Sequence, residues 1–473
     1  MSKVIIIGGG VAGLSAAYEL LKNDPKIDLT LLEADDRVGG NIYSAKVGKD
    51  KLDVGALQIW DWYFNLMDII EDLDLRKKMD VSHWSDFYVQ NDCKDGTSYS
   101  IAKNSDIFND MSIQEKIKTG QLLIDLLEMP DSKLSMYSNS LDNTETVYDF
   151  IVRNYGEDTK LVDLTRSFYE GYTYGPIEKM EMSLVLPLIT RNGVEYSFMG
   201  NTELLVGELE KNISKKGKIV YNARVKNINV SSGSKNKVKT TSGKTYEADE
   251  IIIASPISDL HHQLIPSLKK SEYGYTHFFA IVAQMNKPFD SDWAAAFQCK
   301  NPKRQAQIMS FINLSEIGMN DRIIMYVRVS DPIKKSYFTV DRLNEMKVKF
   351  LDGNTFKKVL YIKEFPYTMP YVKQNLIKTF QKNQGKNNIY YAGHYLYPYP
   401  SMEVACYSGR LAAHCILGDR EVFVDKIKKK DKKQIREFKS DLKNMIDNYY
   451  WSAMCVIAII ILLLTVFLIH RYA

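Results

Sequence analysis

The stretch Val4–Gly13, VIIIGGGVAG, lies almost at the start of the chain and decides the fold class. Four consecutive β-branched residues followed by Gly-x-Gly-x-x-Gly predict a buried strand that turns tightly into a helix. Residues 11–22 have the apolar spacing of a helix, and residues 28–33, DLTLLE, have that of a second strand. Together they predict a βαβ unit and therefore a parallel α/β domain.

The glycines of this unit have the spacing that a bound dinucleotide requires. Gly8 would make the tight turn, Gly10 would let the backbone approach a pyrophosphate, and Gly13 would let the helix pack close to the strand. The helix start around Ala12 would offer free N–H groups to the phosphates. Glu33, 20 residues past Gly13, is placed to accept hydrogen bonds from ribose hydroxyls. A glycine-rich turn without a ligand is the alternative, but the context favours a Rossmann-type dinucleotide site.

The composition is that of an ordinary globular protein and excludes several classes. The 473 residues predict two or three domains, and the 45% hydrophobic and 25% charged fractions exclude global disorder. A net charge of +4 gives no electrostatic case for binding nucleic acid. The cysteines are scattered and odd in number, which argues against a disulfide framework and a zinc site. They are Cys93, Cys299, Cys406, Cys415 and Cys455.

A second glycine-rich element follows Glu33 and carries a resemblance to a known family. Its residues are Arg37, Gly39 and Gly40, with Gly55 and Ala56 shortly after. Here the sequence resembles the flavin amine oxidase superfamily, which includes monoamine and polyamine oxidases, protoporphyrinogen oxidase and phytoene desaturases. The resemblance implies FAD as the cofactor. It places Arg37 and the paired glycines along the pyrophosphate and ribityl chain, and Gly55 and Ala56 near the isoalloxazine.

The segment 223–256 resembles the second FAD-contacting element of that superfamily. Its short strands, with Gly233 and Gly243 between them, predict a β-meander before a return strand. The resemblance implies that the backbone of Val225 meets the adenine. An ordinary meander would explain the strands equally well.

The segment 390–413, YYAGHYLYPYPSMEVACYSGRLAA, resembles the superfamily's C-terminal signature. The resemblance implies that Gly393 contacts the cofactor and that the helix starting at Met402 and Glu403 lies beside the flavin. N–H groups at that helix start would stabilise negative charge on the reduced flavin. His394 departs from the acidic residue usual after Ala-Gly, so one cofactor contact is expected to differ.

The end of the chain predicts a membrane anchor. Trp451–Ile469 carries no charge over 19 residues, about 28 Å of helix, close to the thickness of a bilayer core. The basic stretch Lys426–Lys443 before it is expected near anionic headgroups, or else to be a solvated linker. Because the chain opens directly into a strand without a secretory signal, we expect a single-pass C-terminal anchor with a cytoplasmic catalytic body.

The predicted fold class is therefore α/β, with a Rossmann-type FAD-binding domain interleaved with an α+β substrate domain, plus a C-terminal transmembrane helix. The predicted boundaries are 1–60, 200–256 and 386–420 for the FAD-binding domain, 61–199 and 257–385 for the substrate domain, 421–449 for a basic juxtamembrane linker and 450–470 for the transmembrane helix.

Three functions remain open from the sequence. The first is an amine oxidase, in which a hydride passes to flavin N5 and O2 reoxidises the flavin. The second is a desaturase or oxidase of an apolar isoprenoid- or porphyrinogen-like substrate, and the third is a flavin-binding protein without turnover. The partner is thus a small molecule, either an amine or a lipid-like compound. No catalytic residue is assigned; Tyr367 and Tyr399 could frame a site, although plain packing is the stronger interpretation of both.

Overall fold

The computed structural model describes most of the chain. The described residues are 2–81, 88–91, 97–100, 112–138, 144–157, 162, 169–170, 175–191, 194–198, 200–231, 235–288, 294–298, 306–314, 317–329, 333–346 and 353–449.

A five-stranded parallel sheet forms the centre of the molecule. Its strands lie in the order Lys218–Val220, Asp28–Leu32, Lys3–Ile7, Glu250–Ile253 and Ile389–Tyr391. Four of the five residues of Lys3–Ile7 are buried, as the apolar run in the middle of a parallel sheet requires. The predicted βαβ unit is confirmed, since Lys3–Ile7 pairs in parallel with Asp28–Leu32 and the helix Val11–Asn23 connects them.

Two helices pack tightly against each other beside this sheet. The helix Val11–Asn23 contacts the helix Met402–Leu417, which follows the last strand of the sheet. A Cβ atom at Gly409 would lie 2.0 Å from the Ala12 carbonyl oxygen, so only glycine permits this approach. The packing brings the first and last predicted cofactor motifs together.

A second, larger sheet lies in the other half of the fold. Its seven strands follow the order Phe356–Phe365, Phe278–Met285, Arg322–Val329, Ala306–Asn313, Ala294–Gln298, Tyr88–Asn91 and Thr97–Ser100. Its strands Phe278–Met285 and Arg322–Val329 lie next to each other and run antiparallel. The predicted meander is also confirmed, as the antiparallel strands Val225–Asn229, Asn236–Thr240 and Thr245–Ala248.

Smaller elements complete the described fold. The remaining strands are Ser44–Val47 with Asp50–Asp53, Tyr273–Tyr275 with Pro370–Val372, and Ile59–Trp60 with Glu195–Ser197 and Asp80–Val81. The remaining α-helices are Phe64–Asp72, Ile113–Glu128, Asp131–Leu134, Val147–Tyr155, Met182–Ile189, Glu203–Ser214, Asp259–Leu264, Val340–Glu345, Gln374–Asn383 and Arg420–Tyr449. Short 3-10 turns lie at Arg76–Lys78, Lys270–Glu272, Lys335–Tyr337 and Lys386–Asn388.

The predicted transmembrane helix requires a correction to the fold class. Among the described residues, none of the helices is both long enough and apolar enough to span a bilayer. The longest of them, Arg420–Tyr449, carries charged residues at nearly every turn. The predicted span at 450–470, with the membrane contact assigned to Trp451–Ile469, lies outside the described residues. The described fold is a mixed α/β fold without a transmembrane helix.

The stretch predicted as a juxtamembrane linker, 421–449, is part of this C-terminal helix and packs against the body. One face is buried through Ile427, Ile435 and other apolar side chains. On the same face, the buried Asp431 carboxylate accepts a hydrogen bond from the buried guanidinium of Arg191. The helix is therefore held by an apolar face and an internal ion pair instead of being a solvated linker.

Candidate functional site

The loop between the first strand and the first helix has a different requirement at each of its motif glycines. Gly8 has a φ of +106°, and a Cβ there would lie 2.9 Å from the Ala254 carbonyl oxygen. At Gly13 a Cβ would lie 1.9 Å from the Gly8 carbonyl oxygen. A Cβ at Gly10 would have no atom within 4 Å. Gly8 and Gly13 are thus required by the fold, whereas Gly10 leaves open space in front of the loop.

The helix that follows this loop presents free donors to that space. Its first intrahelical hydrogen bond runs from the Leu14 amide to the Gly10 carbonyl oxygen, at 2.9 Å. The amides of residues 11–13, Ala12 among them, therefore have no acceptor within the helix. Such a helix start attracts phosphate.

Glu33 lies at the end of the second strand and ties three segments together. Its Oε2 accepts a hydrogen bond from the Gly9 amide at 2.6 Å, and its Oε1 accepts one from the Asp35 amide at 2.9 Å. The Ala223 amide donates to the Glu33 carbonyl oxygen at 2.7 Å, which brings Val225 beside it. The carboxylate is thus fixed in place and still borders the cavity described below.

The second glycine-rich loop folds directly over the first. The Gly39 amide donates to the Gly9 carbonyl oxygen at 2.7 Å, and both Gly39 and Gly40 have positive φ values, +112° and +56°. The Arg37 guanidinium donates to the carbonyl oxygens of Gly40 and Ile42. Arg37 therefore supports the loop as well as bordering the cavity.

Gly55 and Ala56 pack against the same loop through their backbones. The Gly55 amide donates to the Tyr43 carbonyl oxygen at 3.1 Å, and the Ala56 amide donates to the Asn41 carbonyl oxygen at 2.9 Å. A Cβ at Gly55 would lie 2.1 Å from the Asn41 oxygen, so a larger residue would push the two segments apart.

The last parallel strand and the helix after it close the other side. The Gly393 amide donates to Ser408 Oγ at 2.8 Å, and the Ser401 hydroxyl accepts from the Val404 amide at 3.2 Å as the cap of the helix that starts at Met402. His394 lines the cavity, and burial lowers its pKa to about 4, so its imidazole is neutral at pH 7.

Glu403 lies in the first turn of the helix Met402–Leu417, and its carboxylate points towards the helix Phe64–Asp72 and away from the cavity. Its fully buried carboxylate accepts hydrogen bonds from the Asn65 and Leu66 amides, at 2.9 and 3.0 Å, and from the Tyr137 hydroxyl at 2.6 Å. Burial raises its pKa, against the hydrogen bonds from Tyr137 and Asn65, which lower it. The side chain caps the start of the helix Phe64–Asp72 and braces two halves of the fold.

Aromatic side chains form a chamber next to these loops. Phe278, Tyr326 and Phe365 project from the seven-stranded sheet, with ring centroids 5.8 Å apart for Phe278 and Tyr326 and 5.1 Å apart for Phe278 and Phe365. Tyr63 and Tyr399 border the chamber from the side of the helix that starts at Met402. Tyr399 has a φ of +56°, a strained conformation for a bulky residue.

One cavity of about 1050 Å³ joins the glycine-rich loops to this aromatic chamber. Most of the predicted site residues border it: Gly8, Gly10, Ala12, Glu33, Arg37, Gly39, Gly40, Gly55, Ala56, Val225, Gly393 and Met402. Gly13 and Glu403 do not border it and act through packing and capping. Tyr367 and Tyr399 both do, although plain packing was the preferred interpretation from the sequence.

Comparison with known proteins agrees with this geometry. The family described as flavin containing amine oxidoreductase matches residues 11–335. The chain belongs to this family. It is 27% identical over 220 residues to protoporphyrinogen oxidase 2 of Arabidopsis thaliana, covering 46% of this chain and 40% of that protein. It is 26% identical over 198 residues to a 1-hydroxycarotenoid 3,4-desaturase of a Flavobacterium species, covering 41% of this chain and 34% of that protein.

A solved structure extends the likeness of fold over most of the chain. Cyclohexylamine oxidase from Brevibacterium oxydans superposes with a TM-score of 0.66 at 15% identity, over 89% of this chain and 99% of that one. At that identity the likeness shows the fold alone. The matches to the two relatives by sequence span between about a third and two fifths of their lengths.

The cavity fits the flavin that membership of the family implies. Open space in front of Gly10 and free amides at the helix start suit a phosphate group, and the fixed Glu33 carboxylate suits a ribose. The volume of about 1050 Å³ lies just above the usual range for small-molecule sites, about 300–1,000 Å³, as an extended ligand requires.

Two features of this flavoprotein fold were missed from the sequence. Lys363, which borders the cavity, places its ammonium 4.2 Å from the centre of the Tyr43 ring. Behind the first helix, the Glu19 carboxylate accepts hydrogen bonds from Arg410 Nε at 2.9 Å and interacts with His414 Nε2 at 3.1 Å. Neither has a local sequence signal, because the partners are more than 300 positions apart.

The Glu19 cluster has shifted pKa values. Burial raises the pKa of Glu19, but the hydrogen bond to His414 and the charge of Arg410 outweigh it and lower that pKa to about 2. Burial lowers the pKa of His414, but its bonds to Glu19 and Asp419 outweigh it and raise that pKa above the usual value. The cluster therefore holds the helices Val11–Asn23 and Met402–Leu417 together as an ion-paired unit.

Proposed function

We propose that this chain is an FAD-dependent oxidoreductase that oxidises a small organic molecule. The observation that carries the proposal is the single cavity that runs from the Gly10 loop to the aromatic chamber. A dinucleotide extended from Glu33 would end at the chamber, where a substrate has room beside it. The relatives named above act, by their names, on a porphyrinogen, a carotenoid and an amine.

The residues that would hold FAD follow from their positions. Glu33 would accept from ribose hydroxyls, the amides of residues 11–13 would bind the pyrophosphate, and Gly39 and Gly40 would let the ligand pass close to the backbone. When bound, FAD supplies the redox chemistry, accepting a hydride at N5 and passing electrons on, with O2 as the proposed acceptor.

The protein's own contribution at the reactive end is electrostatic. Ser401 and Met402 border the cavity at the start of a 16-residue helix, whose partial positive charge would stabilise negative charge on the bound ligand. His394 is neutral at pH 7 and adds no charge of its own there. The aromatic walls would limit the access of water to a bound ligand, which would strengthen these interactions.

The chamber favours an apolar substrate over an amine among the classes left open. The described carboxylates that border the cavity are Glu33, Asp35, Asp259 and Glu364. Glu33 and Asp35 lie at the dinucleotide end, the Asp259 side chain is 98% exposed, and Glu364 pairs with His277 at 3.0 Å. Within the described chain, the aromatic chamber thus offers a substrate stacking surfaces and phenol hydroxyls. The Lys363 ammonium lies 5.8 Å from the centre of the Phe365 ring and would repel a protonated amine, and the Glu364 carboxylate is already paired with His277.

Purification and anaerobic reduction test the proposal. The full chain should carry FAD, released by heat or acid, and a hydroporphyrin or a polyene should bleach the flavin absorbance without O2 present. A panel of primary amines, assayed by peroxide release, tests the amine alternative. Bleaching by amines only would reverse the choice of substrate, and retention of FAD with no reduction by either panel would favour a flavin-binding protein without turnover. A protein that binds no FAD at all would refute the proposal.

A further inference from the structure

The helix Ile113–Glu128 leaves a row of isoleucines in solvent. Ile113, Ile117 and Ile124 are 64%, 61% and 44% exposed. At 3.6 residues per turn, the three side chains lie within about 40° of one another on the helix. Leu126, which is buried, lies on the opposite side. This isoleucine stripe therefore faces away from the body of the protein.

The C-terminal helix Arg420–Tyr449 presents charge on its outer side. Outside its buried face, which includes Ile427 and Ile435, it carries a group of exposed basic residues. They are Lys426, Lys428, Lys429, Lys432, Lys433 and Arg436. Acids accompany the group: Asp425 is exposed just before it, Glu437 pairs with Lys433 at 3.7 Å, and Asp68 pairs with Lys426 at 3.6 Å, which leaves a net positive charge. We call this group the basic face.

The two helices are neighbours, so the stripe and the basic face lie on adjacent parts of the surface. The C-terminal helix packs against both Ile113–Glu128 and the short helix after it. Lys439 Nζ donates to the Met129 carbonyl oxygen at 2.6 Å and to Asp131 Oδ1 at 2.9 Å, which joins the helices side by side. Both outward faces lie outside the buried faces of their own helices.

We propose that the isoleucine stripe and the basic face together bind the surface of an anionic phospholipid bilayer. Basic side chains are attracted to anionic headgroups, and exposed aliphatic side chains gain free energy by entering the boundary between headgroups and acyl chains. An acidic protein would match the charge but would leave the isoleucines without a reason to be exposed. The contact lies on the bilayer surface and includes no span, and it is independent of the reaction proposed above.

Vesicle binding by the full chain tests the charge component. Each basic group near an anionic surface contributes roughly fivefold in affinity, so Lys429→Glu/Lys432→Glu/Lys433→Glu should weaken binding to phosphatidylserine-containing vesicles by about a hundredfold at low salt. Lys226→Glu/Lys239→Glu/Lys244→Glu, on the exposed meander, is the charge-matched control and should bind as the wild type does. Equal affinity of both triple variants for these vesicles would overturn the proposal.

A tryptophan at the stripe tests the apolar component at a defined position. The chain has five tryptophans, so the signal of Ile117→Trp is the fluorescence of the variant minus that of the wild type. Vesicles that contain brominated phospholipid should quench this added fluorescence, and its emission maximum should shift to shorter wavelength. Val230→Trp, at an exposed valine of the meander, is the control and should respond to neither. Equal quenching at both positions would refute the assignment. So would retention on polyglutamate without binding to anionic vesicles, which would point to an acidic protein partner.

Discussion

Replacing Gly10 with valine separates cofactor binding from folding. Gly10 has a φ of −76° and a ψ of −177°, which any residue can adopt, and its Cβ would point into open space. Valine is a poorer helix cap than glycine by roughly 0.5–1 kcal/mol, so the apo-protein should fold with only that loss. The side chain would occupy the space of the pyrophosphate, and we expect the variant to purify without flavin.

Most of the difference in stability between Gly10→Val and the FAD-bound wild type should come from the loss of FAD. A ligand at 100 times its dissociation constant stabilises the folded state by about 2.7 kcal/mol. At about 2 °C per kcal/mol for a large domain, the lost ligand and the poorer cap together should make the variant melt roughly 6–7 °C below the holo wild type and within about 2 °C of the apo wild type. The flavin absorbance of the purified protein measures its FAD content, titration of the apo-protein with FAD measures the affinity, and thermal unfolding measures the melting temperature.

Gly13→Ala is the control at a neighbouring glycine, because even the single Cβ of alanine there would lie 1.9 Å from the Gly8 carbonyl oxygen. It should destabilise the apo-protein by about 1–3 kcal/mol through overpacking. A Gly10→Val protein that retains stoichiometric flavin would refute the phosphate assignment. A Gly10→Val apo-protein as unstable as Gly13→Ala would show that the loop, and not the ligand, requires the glycine.

Three further predictions concern single residues. Glu33→Gln should weaken FAD binding by one to two decades, since a hydrogen bond to a charged group contributes about 1.5–3 kcal/mol; unchanged affinity in calorimetry would contradict this. The cluster of Glu19, Arg410 and His414 should contribute most to the free energy of unfolding between about pH 4.5 and 6.5. Because the pKa of Glu19 is lowered to about 2 in the folded state, its contribution is lost as pH falls from 4.5 towards 2. Because the pKa of His414 is raised in the folded state, its contribution is lost as pH rises above 6.5 through that raised pKa. Denaturant unfolding across pH 3–9 should show this maximum flattened in His414→Gln, and an unchanged profile would count against the cluster. Asp431→Ala should cost about 3–5 kcal/mol, because it leaves the Arg191 guanidinium buried without its partner, whereas Asp431→Leu with Arg191→Met should recover most of the loss in the same unfolding assay.

Local pattern alone determined the dinucleotide half of this protein. Residues 3–33 contain a β-branched run, closely spaced glycines, an apolar helix and a second strand in succession. All of these signals lie within about 30 positions, so the sequence predicts the βαβ unit without knowledge of distant residues. The helix Met402–Leu417 was expected from the family resemblance of the segment 390–413. The resemblance to the flavin amine oxidase superfamily then implied FAD as the cofactor, and most of the residues that it assigned to the cofactor border the cavity.

Tertiary structure decided what the polar side chains in those motifs do. Glu403 stands in a cofactor motif, yet its carboxylate caps a helix 338 positions away in sequence. The run of lysines between 426 and 443 resembles a solvated linker, but Asp431 on its other face meets Arg191 in the interior. The sequence around Glu403 or Asp431 contains no signal for these contacts, because each depends on a buried partner that is distant in the chain.

The chamber has the same origin. Tyr63 and Tyr399 are 336 positions apart, and each by itself resembles any other of the 30 tyrosines in the chain. They border one cavity because the helix Met402–Leu417, which begins just after Tyr399, packs against the helix Phe64–Asp72, which begins just after Tyr63. Sequence periodicity specifies the helices and strands, and it also specifies the glycine-rich turns whose contacts lie within a few residues. The choice of neighbours across the fold depends on shape and on burial of charge, which only the assembled chain contains.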